Sequence, residues 1–167
     1  MSEEIDVQFQ LSDPWHYYLD TSTFGALVDD EEFERVKTTQ MLFDRIQSGI
    51  IRASTSIITL EEIAQAPESV QTRIQPSLNT LPILDESEAS ISFANELVAR
   101  NVLTEKFRDD ARHLGIAVVE DMDAIISWNF RHMVNPARRR QIQSACLMLG
   151  HRPIDIISPL EVIRDDT

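Results

Sequence analysis

Apolar and polar positions follow two different periods along this chain. Short apolar runs, typical of buried strands, occur at YYLD (17–20), IIRASTSII (50–58), TLPILD (80–85), DAIISW (123–128) and PIDIIS (153–158). Longer segments with apolar residues at helical spacing lie between them, at 31–49, 59–67, 87–102, 104–119 and 136–150. This alternation predicts an α/β fold, a three-layer α/β/α sandwich whose central parallel sheet is covered on both faces.

The composition supports one domain with its own core. The chain has 167 residues, of which 43% are hydrophobic, and this is enough to fold without disulfides. We expect the domain to span residues 14–167, preceded by a polar extension, residues 1–13, that is a candidate for disorder. Cys146, in the apolar stretch SACLMLG, is predicted to be a buried small hydrophobe. Without an N-terminal targeting pattern or a membrane-length apolar run, we expect a cytoplasmic location.

The net charge of −13 argues against a protein that grips nucleic acid over its whole surface. It does not exclude an enzyme of nucleic acids, because acids that hold divalent metal lose part of their charge in the working state. Local basic segments are also present, at KFRDDAR (106–112) and NFRHMVNPARRR (129–140). They are either solvated helix faces or patches that steer a polyanionic substrate.

Polar residues follow several predicted strands directly. Asp20 ends the first strand, Glu61 and Glu62 follow the second, and Asn129 follows the fourth. Because functional groups gather at the carboxyl ends of parallel strands, we expect these side chains to lie near one another. On the helix at 104–119, the helical wheel places Asp110 on the edge of the apolar face and Asp109 toward solvent.

Each acid also has a structural explanation. Asp20, together with Ser22, has the right chemistry to cap a following helix. Glu62 with Thr59 fits the capping-box pattern T-x-x-E, and Arg112 could neutralise Asp110. For His113 we expect packing, and for His132 either contact with a substrate phosphate or support of its loop, with the structural role favoured.

Four segments, in this order and spacing, resemble the PIN-domain ribonucleases, specifically the VapC-like toxins of bacterial toxin–antitoxin pairs. They are YLDTST (18–23), ITLEEIAQAP (58–67), FRDDARHLGIAVV (107–119) and DAIISWNFRHMVN (123–135). The last segment resembles a subgroup with the signature S/T-W-N-F-x-H, and PIDIISPLEVI matches its closing strand. The resemblance covers nearly the whole chain from His16 onward.

This resemblance implies site residues and a cofactor. Asp20, Glu62 and Asp110 take the positions of the metal-binding acids, and Asn129 takes a fourth catalytic position that is usually Asp. The Asn leaves open whether one or two metals bind, and Asp123 is expected at the opposite end of the sheet. Hard oxygen ligands of this kind suit Mg²⁺ or Mn²⁺, which polarise a phosphodiester and support attack by water.

The implied activity is metal-dependent endoribonuclease cleavage of RNA by the toxin of a type II pair. The implied partners are a small antitoxin, which pushes an Arg or other group into the acidic site, and a second copy of the chain in a homodimer. Two alternatives remain open: a catalytically inactive PIN-fold binding module and a stand-alone RNA-processing nuclease. A phosphatase with the motif D-x-D-x-T is disfavoured, because Ser22 replaces the second acid.

Overall fold

The computed structural model describes residues 14–164, so the predicted extension at residues 1–13 lies outside the described residues. Within the described part, every strand pair of a single five-stranded sheet is parallel. The strands are β1 (His16–Leu19), β2 (Arg52–Ser56), β3 (Ile83–Leu84), β4 (Ala124–Ile126) and β5 (Asp155–Ile157). Their spatial order is β3-β2-β1-β4-β5. The order reverses between β1 and β4, and this reversal opens a crevice at the carboxyl ends of those two strands.

Helices cover the sheet between residues 14 and 164. They are α1 (Thr21–Gly25), α2 (Phe33–Gln47), α3 (Ile57–Ile63), α4 (Glu68–Leu78), α5 (Glu88–Ala99), α6 (Arg108–Val119), α7 (Pro136–Met148) and α8 (Pro159–Arg164). In the same part of the chain, no helix has both the length and the apolar character that a membrane crossing needs.

The core has two halves, one on each face of the sheet. Tyr18 and Ile125 point into the half that is built with α5, α6 and α7. Tyr17, Leu19 and Ile126 point into the other half, with α1, α2, α4 and α8. Neighbouring residues of a strand therefore serve opposite faces, as the pleat requires. The predicted three-layer α/β/α class is confirmed, because both faces of the parallel sheet are covered.

Element boundaries differ from the prediction at the end of β2. The apolar run 50–58 suggested a strand through Ile58, but β2 ends at Ser56 and α3 begins at Ile57. The Ser56 side chain accepts the backbone N–H of Ile58 and so caps the helix. Two β-branched residues at the helix start gave the misleading strand pattern.

Three helices were not predicted from the pattern: α1, α4 and α8. The first and last are short, with five and six residues, so they display little helical periodicity. The helix α4 is mostly polar and contains Pro76 near its end. A proline there removes one backbone hydrogen bond and disguises the helical pattern.

Gly115 sets the close packing of α6 against α5. A Cβ at this position would clash with the backbone carbonyl oxygen of Ser90, in the first turn of α5. We expect Gly115→Ala to destabilise the protein by about 1–3 kcal/mol, because neither backbone can yield easily. Thermal or urea unfolding measures this, with Gly25→Ala as the control, since no atom lies within 4 Å of a Cβ there. Equal stability of the two variants would contradict the close approach.

Candidate functional site

A cavity of about 310 Å³ lies at the carboxyl end of the sheet, beside the crevice between β1 and β4. Its wall is formed by Asp20, Thr21, Ser22, Gly25, Glu62, Asp110, His113 and Asn129. The four predicted site residues, which come from different parts of the chain, are therefore brought to one cavity. Asp123 lies elsewhere, at the amino end of β4, where it accepts the backbone N–H of His16 and pairs with Arg152.

Asp20 is almost fully buried, with 3% of its surface exposed. One carboxylate oxygen accepts the Ser22 hydroxyl at 2.5 Å and the other accepts the Ser127 hydroxyl at 2.5 Å. Burial raises the pKa of Asp20, while His113 and the two hydroxyls act in the opposite direction. Because burial makes the ionised carboxylate unfavourable, a cation beside Asp20 would stabilise it.

The two serines are themselves fixed by the backbone of the loop after β4. The Ser22 oxygen accepts the N–H of Trp128, and the Ser127 oxygen accepts the N–H of Asn129. Because a backbone N–H can only donate, each serine keeps its own hydrogen for Asp20. Asp20 stands at the N-cap position of α1 but its side chain makes no capping bond. The capping explanation for this acid therefore does not hold.

Glu62 also lacks the structural role that the sequence allowed. It lies inside α3, whose cap is Ser56, so the predicted capping box with Thr59 is absent. Its Oε1 instead accepts the Thr21 hydroxyl at 2.8 Å and meets Nε2 of His113 at 2.6 Å. Burial alone would raise the pKa of Glu62, but the hydrogen bonds from His113 and Thr21 lower it below its ordinary value. Glu62 is therefore held as an oriented carboxylate.

His113 is buried and links Glu62 to the core through a chain of hydrogen bonds. Its Nδ1 lies 2.6 Å from the hydroxyl of Tyr18, which lies 2.6 Å from the hydroxyl of Ser56. An ionised Glu62 can only accept, so Nε2 of His113 carries the hydrogen that lies between them. The Ser56 oxygen also accepts the backbone N–H of Ile58, which ties the far end of the chain to the start of α3. These contacts fix the orientation of the His113 ring and the position of Glu62.

The two neighbouring acids of α6 have different surroundings. Asp110 lines the cavity, and burial, followed by the negative charge of Asp20, raises its pKa to about 6. Asp109 is exposed and pairs with Arg112 at 3.1 Å. Arg112 also pairs with Glu61 and, through two nitrogens, with Glu86, so it does not neutralise Asp110.

Hydrogen bonds decide which end of the Asn129 amide faces the cavity. Its Oδ1 accepts the backbone N–H of His132 at 3.0 Å, a bond that only the oxygen of the amide can make. Its Nδ2 lies 3.5 Å from a carboxylate oxygen of Asp110. Asn129 therefore presents a donor toward the acids, whereas the sequence had also allowed its oxygen to face a cation.

The donor set of the cavity fits a hard divalent cation. Three carboxylates line the cavity, and the negative charges of Asp20 and Glu62 contribute to the raised pKa of Asp110. As their side chains are placed, no three His, Cys, Asp or Glu residues within 14–164 form a ready-made metal cage. Mg²⁺ does not require one, because it commonly binds one or two carboxylates and keeps several waters.

Sequence reasoning missed the residues that position the acids. Ser22 and Ser127 orient Asp20, and Thr21 and His113 orient Glu62. The sequence did contain a sign of the serines and the threonine. The hydroxyl residues directly after Asp20, and Ser127 before Trp128, all follow the ends of predicted strands. The contact of His113 with Tyr18 joins residues 95 positions apart, and one sequence contains no local sign of it.

Comparison with known proteins identifies the fold. No protein-family model matches the chain, and neither does any curated protein. Solved structures do match, among them DNA-bound VapBC from Salmonella typhimurium, at 18% identity and a TM-score of 0.58. That match covers 87% of this chain and 98% of the other.

Two further solved structures agree with this match. VapBC-1 from nontypeable Haemophilus influenzae gives 15% identity and a TM-score of 0.55. VapBC2 from Rickettsia felis, bound to a DNA fragment from their promoter, gives 13% identity and a TM-score of 0.54. Both matches cover 86% of this chain and 98% of the other. The chain therefore has a VapC-like PIN-domain fold.

Proposed function

We propose that this protein is an endoribonuclease that depends on Mg²⁺ or Mn²⁺ and acts as the toxin of a type II toxin–antitoxin pair. The observation that carries the proposal is the gathering of Asp20, Glu62 and Asp110 in the lining of one cavity at the carboxyl end of a parallel sheet. Acids so placed repel one another unless a cation joins them. The VapC-like fold adds the same expectation by analogy.

In this proposal the acids, Asn129 and the residues that orient them have different tasks. Asp20, Glu62 and Asp110 would hold the cation. When bound, it would supply Lewis-acid polarisation of the phosphodiester and stabilisation of charge on the leaving oxygen. Asn129 directs its amide hydrogens to a phosphate oxygen, a task that needs a donor rather than a negative charge. Ser22, Ser127 and His113 keep the carboxylates in position.

Metal-dependent cleavage of RNA tests the proposal. We expect the purified protein to cut single-stranded RNA internally in Mg²⁺ or Mn²⁺ and to lose this activity in EDTA. End-labelled RNA on a denaturing gel separates internal cuts from trimming at the ends. A protein that leaves RNA intact in both metals at micromolar concentration would contradict the proposal.

The alternative of an inactive binding module has one specific observation in its favour. Asn129 brings no negative charge to the position that is usually Asp, and its oxygen is occupied by the backbone of His132. The retained acids argue against this alternative. The same assay separates the two functions. A binding module binds RNA in EDTA and leaves it uncut when Mg²⁺ or Mn²⁺ is added. A stand-alone processing nuclease cuts RNA but has no inhibitory partner.

Removal of the Ser127 hydroxyl should weaken catalysis without unfolding the protein. Ser127→Ala takes one hydrogen bond from Asp20 and leaves the N–H of Asn129 without its acceptor. We expect the rate of RNA cleavage to fall by about 10- to 100-fold, as for other residues that orient metal ligands. Ser48→Ala is the control, because Ser48 is exposed, far along the chain from the cavity residues, and its hydroxyl bonds the backbone carbonyl of Arg45. Full activity of Ser127→Ala would show that Asp20 needs no such support.

We also propose a homodimer and a small antitoxin partner. Much of the apolar sequence that suggested a dimer is internal, including Phe24 and Leu42, but Leu147 and Met148 are largely exposed. Light scattering at micromolar concentration tests the dimer, and a monomer would contradict it.

For the antitoxin, an arginine fits the acidic cavity because a guanidinium can bond two carboxylates at once. A small protein encoded beside this chain should co-purify with it and block cleavage; failure to do either would favour the stand-alone nuclease.

A further inference from the structure

Two pairs of neighbouring residues join α3 to α6. Glu61 and Glu62 follow one another on α3, and Arg112 and His113 follow one another on α6. Glu62 meets Nε2 of His113 at 2.6 Å, and we call this contact the inner pair. Glu61 lies 3.1 Å from Nη1 of Arg112, and we call this ion pair the outer pair. The inner pair lines the acidic cavity, whereas neither residue of the outer pair does.

Arg112 holds other elements in addition to α3. Its Nε and Nη2 donate to the two carboxylate oxygens of Glu86, at 2.9 Å each, in the turn between β3 and α5. Its Nη1 also donates to Asp109, three residues earlier on α6. The side chains of Arg112 and Glu86 are only 24% and 19% exposed. A partly buried, bidentate network of this kind fixes its members in one arrangement, unlike a single surface ion pair.

The outer pair is placed to set the separation of two of the candidate metal acids. Asp110 belongs to α6 and Glu62 belongs to α3, so their separation depends on how the two helices are held. The hydrogen bonds of Thr21 and His113 both go to Oε1 of Glu62, so they leave Oε2 for a cation. A carboxylate that is fixed through one oxygen still moves with its helix. Functional groups must be held to within about 0.5 Å, so the position of α3 matters.

The polar contacts between α3 and β2 lie nearer the beginning of the helix. Ser56 accepts the N–H of Ile58, and Thr59 accepts the hydroxyl of Thr55. Ile63, at the other end, is buried, but apolar packing is not directional and does not by itself fix a helix in one orientation. The outer pair supplies a directional contact in the last turn of α3, next to Glu62.

We propose that Arg112 is a positioning residue, which sets Glu62 relative to Asp110 through its ion pair with Glu61. Arg112 acts by fixing α3 on α6 and does not itself contact the cation. The inference rests on the proposed function for the identity of the metal site. The position of α3, however, is a property of the metal-free protein and can be tested without metal. The proposal also gives a task to Glu61, which does not line the cavity.

The ordinary explanation is that Arg112 only stabilises the fold, and two variants separate the explanations. Hydrogen bonds to Glu86 are the largest cause of the raised pKa of Arg112. The Glu86 side chain is also less exposed than that of Glu61, at 19% against 49%. Glu86→Gln should therefore lower the free energy of unfolding more than Glu61→Gln does. If Arg112 were only structural, the other properties of the two variants would follow the same order.

Amide hydrogen exchange of the metal-free protein is the first test. In EDTA, we expect Glu61→Gln and Arg112→Gln to speed exchange in α3 by about 2- to 5-fold, because local opening of the helix no longer breaks the outer pair. Glu86→Gln is the matched control, since it removes a larger contact of the same guanidinium and leaves the outer pair in place. Its α3 should exchange at the wild-type rate.

Calorimetric titration of Mn²⁺ is the second test. We expect Glu61→Gln and Arg112→Gln each to weaken Mn²⁺ binding by about 3- to 10-fold, less than the loss of a group that bonds a ligand directly. Charge alone predicts opposite effects, because Glu61→Gln removes an attractive charge and Arg112→Gln removes a repulsive one. The double variant should bind no more weakly than Arg112→Gln, since both changes break the same contact. Glu86→Gln should stay within about twofold of the wild type.

Three results would overturn the inference. The first is wild-type exchange of α3 in both Glu61→Gln and Arg112→Gln. The second is Mn²⁺ affinity that follows the free energy of unfolding, so that Glu86→Gln binds more weakly than Glu61→Gln. The third is tighter Mn²⁺ binding by Arg112→Gln than by the wild type. A wild type that binds no Mn²⁺ would contradict the proposed function, and exchange in α3 would still decide whether Arg112 positions this helix.

Discussion

In the absence of divalent metal, we expect the Asp110→Asn variant to be more stable than the wild type by roughly 3 kcal/mol at pH 7.5. The reason is that the folded protein raises the pKa of Asp110 from 3.8 to about 6, at about 1.36 kcal/mol for each pH unit. Holding this carboxylate ionised therefore costs folding free energy, and the neutral amide of Asn avoids the cost. Urea unfolding with EDTA present measures the difference.

The dependence of the unfolding free energy on pH gives the sign of the stability difference between Asp110→Asn and the wild type. A carboxyl with a raised folded-state pKa does not penalise folding below its unfolded-state pKa, where it is protonated in both states. The penalty grows as pH rises from about 4 and is complete above the folded-state pKa of about 6. The advantage of Asp110→Asn should therefore shrink as pH falls from 7.5 to 4.5. Asp109→Asn is the matched control, and an equal gain in stability there would contradict the assignment.

The same substitution should abolish function. We expect Asp110→Asn to lower the rate of RNA cleavage by at least about 10²- to 10³-fold, because it removes a charge from the proposed metal site. Asp109→Asn should remain close to wild-type activity, since Asp109 pairs with Arg112 on the surface. Cleavage of labelled RNA in Mn²⁺ under single-turnover conditions measures both variants. Survival of activity in Asp110→Asn together with its loss in Asp109→Asn would reverse the assignment of the two acids.

General rules predicted the location of the candidate site. Parallel strands point the same way, so Asp20 and Asn129, each placed after a strand, had to meet at one edge of the sheet. The helical period separated Asp110 from Asp109. The choice of Glu62 over Glu61 came from the family resemblance, and the structure places Glu62 on the cavity and Glu61 beside Arg112.

The support of these acids could not be predicted in the same way. His113 reaches Tyr18 only because α6 packs over β1, and this packing depends on tertiary contacts rather than on local pattern. The amide orientation of Asn129 depends on a turn that returns the N–H of His132 to it. Local propensity also failed at Ile57 and Ile58, where the Ser56 cap decided the start of α3.

The stability gain and the activity loss expected of Asp110→Asn have one physical origin. The carboxylate is unfavourable in the metal-free fold and becomes favourable when a cation neutralises it. Added Mn²⁺ should therefore stabilise the wild type and leave Asp110→Asn unchanged, so that the difference between the two decreases as metal is added. A metal that stabilised both proteins equally would bind outside this cavity.

Calorimetric titration of Mn²⁺ into the metal-free protein examines the proposed metal site without relying on any RNA substrate. Wild type and Asp109→Asn should bind Mn²⁺ with similar affinity, and Asp110→Asn should bind at least about 100-fold more weakly, because it loses a charged ligand. Circular dichroism of each variant establishes that the fold is intact. Absence of Mn²⁺ binding by the wild type, or equal binding by wild type and Asp110→Asn, would contradict the assignment of Asp20, Glu62 and Asp110 as a metal centre.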